Sequence, residues 1–349
     1  MSGCLFFAST PLHIILSAAV ALTEQARCEL VCIDQPPGSR NPYLALLDKW
    51  PHNPFACMLQ LDRHTSFFSK LAVRKTNFAH LRKVVDRLKP QRVFTGSDRR
   101  VEFQYAIARA KRAGKVTGVY LDEGTFSYIS RSASRSIGDR YVDNCMKKLV
   151  YGTWWRNPPT TGASLWIDEC RLFFPDKANA WLRRKPTKGL DPQLLLNATM
   201  QEFFARIIAT QKLDSDKLSR VTHLLTLPHH SLAGAVNDYA MLVDRLQRKG
   251  AKVLVKYHPR SNASDYRGLD REHPWYRITG PLLFEALLAS LPKTIMLIGD
   301  LSSTLLVARW LNPKMRIVAI EDPQTATPYQ SFLRDIGVRI TPATAIGNT

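Results

Sequence analysis

Three short clusters of chemically capable side chains stand where an apolar run gives way to a polar turn. The first is Asp122-Glu123-Gly124, which follows Val116 to Leu121. Residues just past the carboxyl end of a strand face the crevice where open α/β sheets bind ligands, and a glycine lets the chain turn tightly there. Asp122 therefore has the position of a catalytic carboxylate, although the same triplet would also serve as a solvated loop or helix cap. Adjacent side chains leave a strand end on opposite sides, so one of Asp122 and Glu123 reaches a ligand. A single base fits this better than the paired acids of a glycosidase, which flank the bond they cleave. The second cluster is His258-Pro259, after Ala251 to Tyr257. Proline holds the residue before it extended, which fixes the imidazole as a candidate proton donor. His273-Pro274 lacks a preceding strand, and His229-His230 follows Pro228 at a helix start, so position singles out His258. The third cluster, Ser302-Ser303, opens a helix-spaced segment ending at Leu311. Hydroxyls, free N–H groups and the helix dipole there could hold an anion or simply cap the helix.

In order, these acidic, His-Pro and Ser-Ser motifs resemble the motif set of bacterial sialyltransferases, including the polysialyltransferase and lipooligosaccharide sialyltransferase families. Phe6 to Leu12 is similar to their first strand and turn. The resemblance runs from Thr10 to Ser303. It implies an inverting, metal-independent glycosyltransferase that moves sialic acid from CMP-sialic acid to a hydroxyl of a bacterial lipopolysaccharide or capsule glycan. Asp122 would be the general base, with Glu123 as its support or its substitute. His258, Pro259, Ser302 and Ser303 would serve the CMP phosphate, and Glu285, in Pro281-Leu-Leu-Phe-Glu285, the ribose. Thr10, Pro11, His13 and Gly124 would lie on the acceptor side, and Thr226-Leu-Pro228 would line the nucleotide or acceptor side of the cleft. His13 departs from the family, which usually has glutamine after Thr-Pro-Leu. Another CMP-activated nonulosonate, or Kdo, would use the same chemistry.

The elements that must position these residues alternate. Cys4 to Ala8, Leu30 to Ile33, Arg92 to Thr95 and Val116 to Leu121 read as strands. Pro11 to Leu22, Pro42 to Trp50, Phe67 to Leu88 and Val101 to Ala113 carry helical spacing. That is the pattern of a parallel, doubly wound sheet. Alternation restarts at His223 and continues to Ile320, after a helix read from Pro192 to Gln211. The expected fold is α/β of GT-B type, two Rossmann-like domains facing a cleft. Residues 1–185 would form the acceptor domain carrying the base, and residues 186–349 the CMP-sugar domain. The proline-rich, basic stretch from Phe173 to Pro192 reads as their linker. Trp154-Trp155, among basic residues in a stretch of neither period, could stack a sugar or plug a gap between layers.

The chain has 349 residues, 45% hydrophobic and 22% charged, which suits a globular protein and excludes a disordered or fibrous one. Lys and Arg outnumber Asp and Glu 49 to 29, for a net charge of +20. Such an excess favours a polyanionic partner: an acidic glycan or glycolipid acceptor, an anionic membrane surface, or nucleic acid. With the resemblance, the expected partners are the acceptor and peripheral contact with the inner face of the cytoplasmic membrane, with no nucleic acid. A non-catalytic polyanion-binding protein is the rival from another class. The six cysteines form no CxxC or zinc pattern and read as reduced, mostly buried thiols. Asp214-Ser215-Asp216 has no strand leading into it and reads as a turn or helix cap, not a metal motif. No apolar stretch approaches the roughly 18 residues needed to span a bilayer. No secretory signal is expected at the N-terminus.

Overall fold

The computed structural model describes residues 3–63, 69–122, 124–129, 148, 151–229, 239–259, 261, 266, 269, 276–278, 280–321 and 327–347. They fall into two compact units, Met1–Leu195 and Leu196–Thr349.

The first unit runs β1 (Gly3–Ala8), α1 (Pro11–Ala21), β2 (Arg27–Gln35), α2 (Pro42–Asp48), β3 (Phe55–Asp62), α3 (Ser69–Leu88), β4 (Pro90–Thr95), α4 (Val101–Ala113), β5 (Thr117–Leu121), β6 (Glu169–Leu172) and β7 (Thr187–Gly189). Every described pairing is parallel, in the order β3-β2-β1-β4-β5-β6-β7. Helices cover both faces of such a sheet, which is why β1 is buried at every residue and reads as a continuous apolar run. Leu5, Phe7, Val93 and Tyr120 pack with Leu81 and Val85 of α3 and with Phe103 and Ile107 of α4. The strand order reverses between β1 and β4, so the chain leaving those two strands borders the crevice where such sheets bind ligands.

Two expectations change here. The stretch from Phe173 to Pro192 is not a linker: β7 lies within it and hydrogen-bonds to β6. The first unit accordingly extends past residue 185, to Leu195. Trp154 packs edge-on against Phe78 and Tyr105, with ring centroids 5.9 and 5.7 Å apart, and so fills the gap between α3 and α4. The irregular stretch that carries it is tied down by two buried side chains absent from the sequence reading. Asp98 accepts the N–H groups of Gly162 and Ser164 at 2.8 and 2.7 Å. Gln104 accepts the Arg156 N–H at 2.7 Å and donates to the Arg156 carbonyl at 2.8 Å.

The second unit runs α5 (Ala198–Thr210), β8 (His223–Thr226), α6 (Tyr239–Arg248), β9 (Val253–Lys256), β10 (Tyr276–Ile278), α7 (Phe284–Ala289), β11 (Met296–Gly299), α8 (Ser303–Leu311), β12 (Arg316–Ile320), α9 (Pro328–Asp335) and β13 (Arg339–Thr341). Its strands are again parallel, in the order β10-β9-β8-β11-β12-β13, with the reversal between β8 and β11. Both sheets are therefore doubly wound. The helix read from Pro192 to Gln211 is broken at Asn197, whose side chain accepts the Met200 N–H at 3.0 Å and starts α5 afresh. Among the described residues no helix is long and apolar enough to cross a membrane. Cys4, Cys28, Cys32 and Cys170 are buried free thiols, Cys57 is a partly exposed one, and Cys145 lies outside the described residues.

Candidate active site

Asp122 leaves the end of β5 turned into the protein, with no exposed surface. Both carboxylate oxygens are occupied. Oδ1 accepts the Gly124 N–H at 2.8 Å and the Ser127 hydroxyl at 2.6 Å. Oδ2 accepts the Phe173 N–H at 2.9 Å and the Tyr128 hydroxyl. Burial pushes the carboxyl above its usual range, while these four donors favour the ionised form and pull it back. Gly124, at φ 110°, turns the chain so that the next residues fold over the carboxylate, a conformation that side chains resist. This is an enclosed anchor, not the open crevice position expected of Asp122. The sequence holds part of the signal in Ser127 and Tyr128, five and six residues on. Phe173 arrives only through the pairing of β5 with β6. Glu123 lies outside the described residues.

At the β1 end, Thr10 and Pro11 are exposed, and Thr10 Oγ1 accepts the His13 N–H at 3.3 Å to cap α1. His13 is buried, and neither ring nitrogen has a hydrogen-bond partner. Burial, with the charge of Arg100 second, lowers its pKa to about 4, so the imidazole is neutral at physiological pH. It occupies the space beside Gly96, where an added Cβ would lie 2.2 Å from the ring. The acceptor-side candidates Thr10, Pro11 and His13 thus gather at the strand-order reversal of the first sheet.

In the second unit, His258 is half-buried just beyond β9, and Pro259 is exposed. The His258 ring meets that of His229, which follows β8, edge-on at 5.1 Å. The sequence reading set His229 aside, because its neighbourhood is a property of β8 pairing with β9. Ser302 precedes α8 without capping it through its side chain. Its hydroxyl bonds to that of Thr304 at 2.5 Å, and its carbonyl accepts the Tyr329 hydroxyl at 2.8 Å. The first-turn N–H groups of α8 are thus left without a Ser302 side-chain acceptor, an arrangement that suits an anion.

Glu285, in the first turn of α7, is buried. Burial raises its carboxyl from 4.5 to about 7, against the opposing charge of Lys256, and burial likewise lowers the Lys256 ammonium. Lys256, the last residue of β9, is a buried lysine beside Glu285 that the sequence reading did not single out; its signal was a lysine closing an apolar strand. Between pH 4.5 and about 7 the folded unit keeps a proton on Glu285 that the unfolded chain has released. Stability from this group is therefore full below pH 4.5 and is lost as pH rises to about 7, by about 3 kcal/mol. Glu285→Gln is expected to remove that slope, read as the wild-type minus variant difference in denaturant unfolding at the two pH values. The difference cancels the opposite slope of His13.

Asp214 caps a short helix by accepting the Lys217 N–H at 3.0 Å, the cap reading of Asp214-Ser215-Asp216. Among the described residues no three His, Cys, Asp or Glu side chains group so as to hold a metal ion.

A model of the alpha-2,8-polysialyltransferase family matches residues 4–320. The chain belongs to that family. It is accordingly a sialyltransferase-like glycosyltransferase. Solved structures share the fold at low identity. The sialyltransferase of Photobacterium damsela is 11% identical, with 97% of this chain and 81% of that chain covered and a TM-score of 0.51. The UDP-GlcNAc 2-epimerase of Neisseria meningitidis, bound to UDP-GlcNAc, is 10% identical over 100% and 90% of the two chains, with a TM-score of 0.56. Staphylococcus aureus MnaA with UDP is 12% identical over 100% and 87%, also at 0.56. The two doubly wound sheets of this polysialyltransferase-family chain thus have the GT-B fold. No curated protein sequence matches it.

Proposed function

We propose that the protein transfers sialic acid from CMP-sialic acid to a hydroxyl of a bacterial cell-surface glycan, lipopolysaccharide or capsule, with inversion and without a metal. The observation that carries this reading is in the second unit. His258 and the uncapped start of α8 at Ser302-Ser303 stand at the carboxyl ends of β9 and β11, on either side of β8. That is where a doubly wound sheet holds a nucleotide. The α8 N–H groups, with Ser302 and Ser303, bind the CMP phosphate. His258, steadied by His229 and Pro259, protonates or hydrogen-bonds that phosphate as the glycosidic bond breaks. Glu285 contacts the ribose. A nucleoside monophosphate leaves with less charge than a diphosphate, so an imidazole and a helix end suffice without a divalent ion.

In the first unit the two acids divide the work. Asp122 has no free lone pair facing solvent, so it positions the turn. Glu123, the next residue, takes the proton of the attacking hydroxyl. Displacement by one base inverts the anomeric carbon. Thr10, Pro11, His13 and Gly124 contribute to the acceptor side. The +20 charge suits an acidic acceptor and peripheral attachment to the inner face of the cytoplasmic membrane.

With CMP-sialic acid, an oligosaccharide acceptor and EDTA, the protein is expected to form sialylated product as fast as with Mg²⁺. NMR of that product is expected to show the anomeric configuration opposite to the donor's. A strict metal requirement, or retention, contradicts the reading.

A further inference from the structure

Phe126 and Trp181, 39% and 41% exposed, are the most exposed phenylalanine and tryptophan among the described residues. A large ring left in water forgoes the free energy of burial, so a pair of them in one place asks for a reason. Trp154 and Trp155, the candidates for stacking a sugar in the sequence, do not supply that surface. Trp154 packs on Phe78 and Tyr105, and Trp155 is buried.

The two exposed rings are tied together. Phe126 lies in the single turn Thr125–Ser127 that folds over Asp122, and Trp181 in the stretch between β6 and β7. Both backbones meet at the buried side chain of Asn179. Asn179 Nδ2 donates to the Phe126 and Ser127 carbonyls at 2.9 and 3.1 Å. Its Oδ1 accepts the Trp181 and Leu182 N–H groups at 3.0 and 3.2 Å. Its own N–H bonds to the Ser127 carbonyl at 2.9 Å, and Thr160 Oγ1 donates to the Phe126 carbonyl at 3.3 Å. Hydrogen bonds satisfied away from water hold both turns rigidly, so the rings stand at fixed positions. The Arg184 guanidinium lies over the Trp181 ring, 4.7 Å from its centroid, and steadies its plane.

Their place in the fold gives these rings a use. Ser127, whose carbonyl Asn179 holds, is also the residue whose hydroxyl holds Asp122 Oδ1. Phe126 follows Glu123 by three residues. A hydroxyl brought to a base at Glu123 belongs to a sugar whose C–H face is apolar. A fixed aromatic ring covers that face and leaves the sugar's hydroxyls free, and a backbone already ordered loses little entropy when the sugar stacks.

We propose that Phe126 and Trp181 form a stacking platform for a sugar unit of the acceptor glycan, beside the turn that carries the base. The proposal rests on the glycosyltransferase reading and names the acceptor subsite that reading leaves open.

The test measures calorimetric binding of two glycans, a sialic acid oligomer and a galactose-terminated oligosaccharide, to wild type, Phe126→Ala, Trp181→Ala and Trp181→Phe. Each alanine variant is expected to bind the glycan that wild type prefers ~10-fold more weakly, and to raise KM for it as an acceptor by a similar factor. Trp181→Phe keeps a ring and is expected to recover most of the loss. Both side chains are exposed, and an unchanged unfolding midpoint shows that the fold is intact. Binding by both alanine variants as tight as wild type, or no binding of either glycan by wild type, overturns the proposal. So does a Trp181→Ala variant that loses only its binding to phosphatidylglycerol vesicles, which would give the ring to a membrane surface. CMP release from CMP-sialic acid is followed on the same samples. Ring-dependent glycan binding without CMP release upholds the platform and rejects the donor; CMP release with ring-independent binding does the reverse.

Discussion

Glu123→Gln is expected to lower kcat for sialyl transfer by roughly two to four orders of magnitude, the usual worth of a general base. Its unfolding midpoint and its KM for the donor are expected to stay at wild-type values. The substitution removes a proton acceptor and keeps the shape, so it separates chemistry from folding. The assignment follows from the state of Asp122, whose two oxygens already receive four hydrogen bonds and have no solvent-facing surface. A hydroxyl could be deprotonated there only after one of those donors left. If Glu123→Gln keeps full kcat while Asp122→Asn folds normally and loses it, the base is Asp122 and the division of labour is reversed.

The second large effect is on stability. Asp122→Ala orphans the Gly124 and Phe173 N–H groups and the Ser127 and Tyr128 hydroxyls. Each unsatisfied buried donor costs about 1–3 kcal/mol, and water enters the space left by the carboxyl only in part. The expected loss is about 4 kcal/mol or more, measured by denaturant unfolding followed through tryptophan fluorescence. Asp122→Asn retains one acceptor oxygen and is expected to lose about half as much, because its amide faces two of the donors. A variant as stable as wild type would contradict the anchoring role.

The strand-end placement of the candidate residues was legible because a buried parallel strand announces itself. β1, β5, β9 and β11 are short apolar runs, and Thr10, Asp122, His258 and Ser302 follow them at the strand ends, although Asp122 is turned inward and enclosed rather than open to the crevice. What stayed hidden depends on contacts far apart in the chain. β3 carries Cys57, Met58 and Gln60 in a half-buried edge strand that matches neither period, and β6 and β7 span only 4 and 3 residues. The enclosure of Asp122 depends on Phe173, brought in by β6. Arg63, Arg74, Arg99 and Arg100 come from three separate segments and line one pocket only once β3, β2, β1 and β4 lie in that order in the sheet.

The most direct test of the central claim is release of CMP from CMP-sialic acid by the purified protein without added metal, for wild type and His258→Ala. Wild type is expected to release CMP, faster with an acidic glycan acceptor present, and His258→Ala to release it at least ~100-fold more slowly. No release by wild type with acidic or neutral acceptors would contradict the CMP-sialic acid donor, and undiminished release by His258→Ala would contradict the role of the histidine.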